Sequence, residues 1–175
     1  MISQGVISSP FGPIMMERTA KGLRSLQILT DDSEYSITLG YDQTLLPWVE
    51  QLEAYFNGSL QDFQITFDLR DQPEFYVHIW RILCTIPYGR TRTYSDIANF
   101  LRKPSLARAV GNAIAHNPLV IVIPCHRVIG KNGQLTGYIY GTDVKRKLLQ
   151  LENPGHFPNQ GQLIFNNPSL PLGTM

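Results

Sequence analysis

With 175 residues, 43% of them apolar and 17% charged, the chain is long enough for one compact unit or two small lobes. Its composition is too ordinary for a collagenous or disordered protein. No uncharged apolar run reaches the roughly 18 residues of a membrane span, and Met1–Gly5 lacks the charged-then-apolar start of an export signal, so a cytoplasmic location is expected. The net charge of +1 hides an asymmetry: residues 1–75 hold 11 acidic and 4 basic side chains, residues 76–152 hold 11 basic and 3 acidic, and residues 153–175 hold none. A basic half beside an acidic one suits a face that meets a polyanion, and equally an electrostatic fit between lobes.

In chain order, apolar alternation over Ile14–Glu17 and Leu23–Leu29, around Thr19–Gly22, predicts a hairpin, and Glu34–Leu39 a third strand. Leu45, Trp48, Val49, Leu52, Tyr55 and Phe56 recur at helical spacing, with Pro47 in the first turn and Gly58 beyond the end. Strict alternation of Phe63, Ile65, Phe67 and Leu69 predicts another strand. These elements form a first lobe over residues 1–72.

A second lobe is expected over 73–153. Phe75, Ile79, Ile82, Leu83 and Ile86 mark a helix stopped before Pro87. Thr93 is placed to cap the next helix, with Asp96 in its first turn. Lys103-Pro-Ser105 breaks that helix, and another runs from about Leu106 to His116. Two short helices in a basic segment are either a helix-turn-helix or an ordinary helical hairpin. On the second helix Leu106, Val110 and Ile114 form a core stripe, while Ala107, Gly111 and Ala115 form a stripe of the smallest side chains. That stripe suits close helix packing inside the protein or approach to the narrow minor groove of DNA. The run Leu119–Ile123 reads as a buried strand leading to Pro124-Cys-His-Arg-Val128. A last helix is expected with Thr142 as cap, Val144, Leu148 and Leu151 inward, and Lys145, Arg146 and Lys147 mostly outward. Residues 154–175 read as a loosely packed extension.

Cys84 and Cys125 cannot build a disulfide framework or fill a four-ligand zinc site. A cysteine beside a histidine is weak evidence for catalysis, because buried cysteines usually serve as small apolar filler. Here a proline fixes the backbone just before Cys125, His126 is available as base, and Glu152 is available to orient that imidazole. Cys84 reads as packing, Arg127 as a structural donor, and the spacing of His78 and His116 supports no metal site. No metal or cofactor is expected.

Ile86-Pro-Tyr-Gly89, Thr93-Tyr94, Ala107-Arg-Ala-Val-Gly111, Asn117-Pro118, Ile123-Pro-Cys-His-Arg-Val128, Gly137-Tyr138 and Lys147-Leu-Leu-Gln-Leu-Glu152 resemble, in order and spacing, the O6-alkylguanine-DNA alkyltransferases, also called methylated-DNA–protein-cysteine methyltransferases. The match is dense over 73–152 and looser upstream. The resemblance implies an α+β fold: a small N-terminal α/β lobe with an antiparallel sheet, and a mainly helical C-terminal lobe with a winged-helix-like helix-turn-helix that binds DNA. It implies DNA repair by direct reversal, in which the O6-alkyl group of a flipped guanine moves to Cys125 once per protein molecule.

The same resemblance assigns Cys125, His126, Glu152, Asn117 and Tyr94 to the reaction, with Tyr94 protonating the departing guanine. It assigns Thr93, Ser95, Ala107, Arg108, Gly111, Asn112 and Ala115 to double-stranded DNA, entered from the minor groove, with Arg108 filling the gap left by the base. Val128, Tyr138, Ile139 and Tyr140 are expected to line the guanine pocket, and the protein to act as a monomer. The family's small residues after Gly-Tyr are replaced here by Ile139 and Tyr140, which predicts that methyl adducts are accepted and bulky ones handled poorly. Other readings are an alkyltransferase-like protein that flags alkylguanine without transfer, a helix-turn-helix regulator, and a cysteine hydrolase. The presence of Cys125 opposes the first. The shortage of major-groove donors on the second helix opposes the regulator.

Overall fold

Four strands build an antiparallel sheet in the order β3-β2-β1-β4: β1 Ser3–Ile7, β2 Ile14–Thr19, β3 Gly22–Ile28 and β4 Gly40–Tyr41. The structure is a computed structural model that describes residues 2–29 and 39–157. The expected hairpin is β2–β3, closed by the pairing of Thr19 with Gly22. Gly22 has φ +143°, and a Cβ there would lie 2.3 Å from the Thr66 carbonyl oxygen, so only glycine fits this approach. Inward residues Ile14, Met16, Leu23 and Leu26 are fully buried. Helix α1 (Leu46–Phe56) carries Pro47 in its first turn and buries Val49, Leu52 and Tyr55. β1 was not anticipated from the sequence. Residues 34–38 of the expected third strand lie outside the described residues, and Leu39 is exposed and in no strand.

Two expected strands are corrected. Over 63–67 burial alternates as the pattern suggests, but Asp68 is buried between Phe67 and Leu69, and backbone pairing is confined to a bridge of Phe67 with Leu23. Alternation records which side faces the core; a strand also needs a neighbour along its length. Leu119–Val122 is buried as expected, yet it turns instead of extending. Leu26 of β3 donates to the Pro118 carbonyl and accepts from Val120, and Val122 N–H donates back to the Val120 carbonyl across Ile121 at φ +73°. This is a tight three-residue turn with a β-branched centre at positive φ, a strained conformation.

The chain divides into two compact units, Met1–Gln72 with Pro118–Val122, and Pro73–Asn117 with Ile123–Met175. The run 118–122 thus belongs with the first unit's sheet, whereas the sequence reading placed it in the second lobe.

The second unit is mainly helical. Its elements are α2 (Glu74–Cys84), a short β5 (Arg92–Thr93), α3 (Tyr94–Phe100), α4 (Ala107–Ala115), a short β6 (Val128–Ile129) and α5 (Gly141–Glu152). Thr93 caps α3 in a reciprocal capping box: its hydroxyl accepts from Asp96 N–H at 3.1 Å, and Asp96 accepts from Thr93 N–H at 2.8 Å. α3 ends on Arg102 at φ 55°, with Lys103 N–H bonded to the Ala98 carbonyl and Arg102 N–H to that of Asn99, the paired closure that lets the chain reverse into α4. α4 buries Val110, Ala113 and Ile114, and Trp80 of α2 donates its indole N–H to the Ala113 carbonyl at 2.8 Å. β5 and β6 pair in parallel. α3, the turn and α4 form the helix-turn-helix. Phe157, at the start of the expected extension, is buried against Ile129 and Leu149.

α5 is rotated relative to expectation. Lys145, Leu148, Leu149 and Glu152 face inward, Val144 and Leu151 are half-buried, and Thr142 is not the cap. The inner face keeps helical spacing, but two of its four positions carry charged groups, which a hydrophobicity pattern assigns to solvent.

Candidate active site

Cys125 opens a short 3₁₀ turn, Cys125–Arg127, all three residues of which are buried. Pro124 has φ −80° and ψ 62°, and Cys125 N–H donates to the Ile123 carbonyl across it at 2.7 Å. This is an inverse γ-turn, and the proline ring holds its φ without help from neighbours. Asn117, just past α4, donates its side-chain amide to the same Ile123 carbonyl at 2.8 Å and to Cys125 Sγ at 3.1 Å. One amide therefore anchors the turn and touches the sulfur.

His126 has no exposed surface. Its Nε2 lies 2.8 Å from Glu152 Oε1. The same carboxylate accepts from Arg127 Nε at 2.9 Å and from the backbone N–H of Gly89 at 3.0 Å. Arg127 is anchored in turn by the Ile86 carbonyl, 2.6 Å from its guanidinium. Burial opposes ionisation of Glu152, but the charges and hydrogen bonds of His126 and Arg127 outweigh it and hold the carboxyl well below the usual range. An ionised Glu152 can only accept, so His126 carries its proton on Nε2. Its Nδ1 makes no hydrogen bond among the described residues. Burial pushes the imidazole pKa down despite Glu152, so His126 is neutral at pH 7.

Burial also raises the Cys125 thiol, against the Asn117 hydrogen bond and the positive charge of Lys145. The resting sulfur is a thiol, and a base must take its proton when it reacts. Tyr94, the first residue of α3, donates its hydroxyl to the Thr136 carbonyl at 3.2 Å. Gly137, at φ +70°, leaves room for that phenol: a Cβ there would sit 2.7 Å from Tyr94 Oη. Tyr138 is buried, its hydroxyl has no partner among the described residues, and its ring meets Tyr140 edge-on at 5.9 Å. Val128 is fully buried and Ile139 is 70% exposed.

The residues expected at DNA lie on the helix-turn-helix. Ser95, Arg108, Asn112 and Ala115 are exposed; Thr93, Ala107 and Gly111 are half-buried. Asn112 donates to the Tyr76 hydroxyl at 2.7 Å, so Tyr76, silent in the sequence, fixes the orientation of that amide. Cys84, read as packing, is exposed at the end of α2. Among the described residues no three His, Cys, Asp or Glu side chains gather to hold a metal ion, and no helix is long and apolar enough to cross a membrane.

Residues 74–154 match the family model of the 6-O-methylguanine DNA methyltransferase DNA-binding domain, and residues 2–69 that of the same proteins' ribonuclease-like domain. The chain belongs to the 6-O-methylguanine DNA methyltransferase family. A methylated-DNA–protein-cysteine methyltransferase of Methanosarcina barkeri is 46% identical over 84% of this chain and 94% of its own, and one of Mycobacterium bovis is 44% identical over 87% and 93%. The crystal structure of the Mycobacterium tuberculosis O6-methylguanine methyltransferase overlays with a TM-score of 0.76 at 42% identity, covering 88% of this chain and 94% of that one. The same mycobacterial protein in complex with DNA overlays at 0.75, with 44% identity over 85% and 91%. Membership of the methyltransferase family makes the chain an alkyl-transferring DNA repair protein.

One group of the methyltransferase site escaped the sequence reading. Lys145, expected outward, is fully buried, and its Nζ donates to the carbonyls of Val128 at 2.6 Å and Thr136 at 2.8 Å. No local signal reveals it, because a lysine among Arg146 and Lys147 reads as part of a solvated face.

Proposed function

We propose that Cys125 is the acceptor, and that it takes the alkyl carbon from guanine O6 of a nucleotide flipped out of double-stranded DNA. The observation that carries this is the buried sulfur, hydrogen-bonded by Asn117 at 3.1 Å and followed directly by an imidazole locked through Nε2 to an ionised Glu152. With Nε2–H committed, Nδ1 is the nitrogen that takes the thiol proton, through water. The thiolate attacks the alkyl carbon, the carbon–O6 bond breaks, and the electron pair stays on guanine, which Tyr94 protonates. Tyr94 then regains a proton from the His126 side, so the thiol proton ends on the base. The product is a thioether without an activated centre for water to attack, so each molecule reacts once.

α4 approaches DNA from the minor groove. Its Ala107-Gly111-Ala115 face carries no bulk, and Arg108 beside it is exposed, placed to enter the stack where the base leaves. The protein works as a monomer in the compartment that holds DNA, the cytoplasm or nucleoid.

Incubation with duplex DNA carrying O6-[methyl-³H]guanine, followed by peptide mapping, tests this. Label is expected on the Cys125 peptide, saturating at one equivalent and absent in Cys125→Ser. Label on another residue, or many lesions cleared per molecule, overturns the proposal. Tight binding without label would place the protein among those that only flag the lesion.

A further inference from the structure

Lys145 is a buried cation with no use in the scheme above. A buried ammonium destabilises a fold unless acceptors take its protons and a counter-charge offsets it. Carbonyl oxygens of Val128 and Thr136 supply the acceptors, but among the described residues Lys145 has no ion pair. Its two acceptors flank the site from opposite ends of one loop: Val128 follows the Cys125–Arg127 turn, and the Thr136 carbonyl also accepts from the Tyr94 hydroxyl. A single oxygen thus joins Lys145 to Tyr94.

We propose that Lys145 is a positioning residue of the transfer site, clamping the Val128 and Thr136 carbonyls so that the loop and Tyr94 are held beside Cys125, and serving as counter-charge to the sulfur when it becomes a thiolate. This rests on Cys125 as the acceptor. Other groups bear on the sulfur from each neighbouring element: Tyr94 of α3, Tyr138 of the loop, Asn117 after α4, and His126 with Glu152 and Arg127 behind it. Of the charged ones, Glu152 and Arg127 are spent on each other and on His126. Lys145 is the cation whose charge lowers the thiol, while burial brings its own pKa down to about 8 and the sulfur pulls it back up.

Lys145→Met keeps the length of the stem and removes the charge. Below the Lys145 midpoint near 8 the ammonium is charged, so the rate of Cys125 alkylation by iodoacetamide at pH 7, which needs no DNA, is expected to fall about tenfold in the variant with the thiolate fraction. Methyl transfer at the same pH should fall by about the same factor, while affinity for duplex DNA stays unchanged. An unchanged alkylation rate in the folded variant overturns the proposal. Slowed alkylation with no methyl transfer in wild type would instead sink the acceptor assignment. The unmutated protein provides a second measurement if the variant does not fold: the pH–rate profile of Cys125 alkylation beside ¹⁵N-lysine NMR of Nζ. The profile should lose slope where Nζ titrates, because the thiol is harder to ionise once the ammonium is gone; a profile with no break at that midpoint rejects the counter-charge.

Discussion

Glu152 gathers donors from three places in the chain: the His126 ring, the Arg127 guanidinium and the Gly89 backbone. Removing its charge leaves Arg127 buried and uncompensated, so Glu152→Gln is expected to lose about 3–5 kcal/mol in urea unfolding at pH 7, and a loss below about 1 kcal/mol contradicts this reading. The pH dependence has a definite sign. The folded-state pKa of Glu152 lies below its unfolded value, so its stabilisation is complete above the unfolded carboxylate range near 4.3 and drains away as pH falls toward the folded value. The stability gap between wild type and variant should therefore begin to narrow below about pH 4 and go on narrowing with further acidification. In the loop proposed to line the guanine pocket, Ile139 is exposed and Tyr140 meets Tyr138 edge-on, and on that proposal their bulk narrows the room for an adduct. Single-turnover rates should favour O6-methylguanine over O6-benzylguanine by at least about tenfold, roughly the worth of misfit side-chain volume in a pocket; equal rates refute the narrowing.

Among the elements, α4 carries a stripe of small residues whose sequence allows either close packing inside the protein or approach to a groove of DNA. A Cβ built on Gly111 would have its nearest contacts at 3.7 and 3.8 Å, on the Tyr94 ring, which is ordinary van der Waals distance. Among the described residues nothing requires glycine there, although glycine in a helix interior sacrifices up to about 1 kcal/mol relative to alanine. That sacrifice fits the close approach to DNA proposed for this face. Gly111→Ala should raise the melting temperature while weakening binding to duplex DNA; improved stability with undiminished binding would count against α4 as the groove-facing helix. The cap of α3 was readable because Thr93 and Asp96 are three residues apart and solve a purely local problem, the orphan N–H groups of a first turn. The face of α5 was not, since Lys145 and Glu152 occupy inner positions for the sake of partners 9 to 63 residues away in sequence.

For the molecule as a whole, the basic half coincides with the segment carrying the helix-turn-helix, and DNA binding by that segment releases counterions from each phosphate it neutralises. With about four such contacts, affinity for undamaged duplex should drop on the order of 10²-fold between 50 and 200 mM salt, measurable by fluorescence anisotropy. Salt-independent binding would mean that the charge asymmetry serves only the protein's own interior.

Local covalent order was enough to place a proline-locked cysteine beside a histidine, cap one helix, punctuate others and leave a face of minimal side chains, because each depends on neighbours within a few residues. Which side chains meet was decided by folding. Phe63–Leu69 alternates but lacks a full-length neighbouring strand, Leu119–Val122 joins β3 through Leu26, and Lys145 gives up water for two carbonyls. Pairing partners and counter-charges lie far apart along the chain, and a pattern of hydrophobicity carries no information about who fills the space opposite.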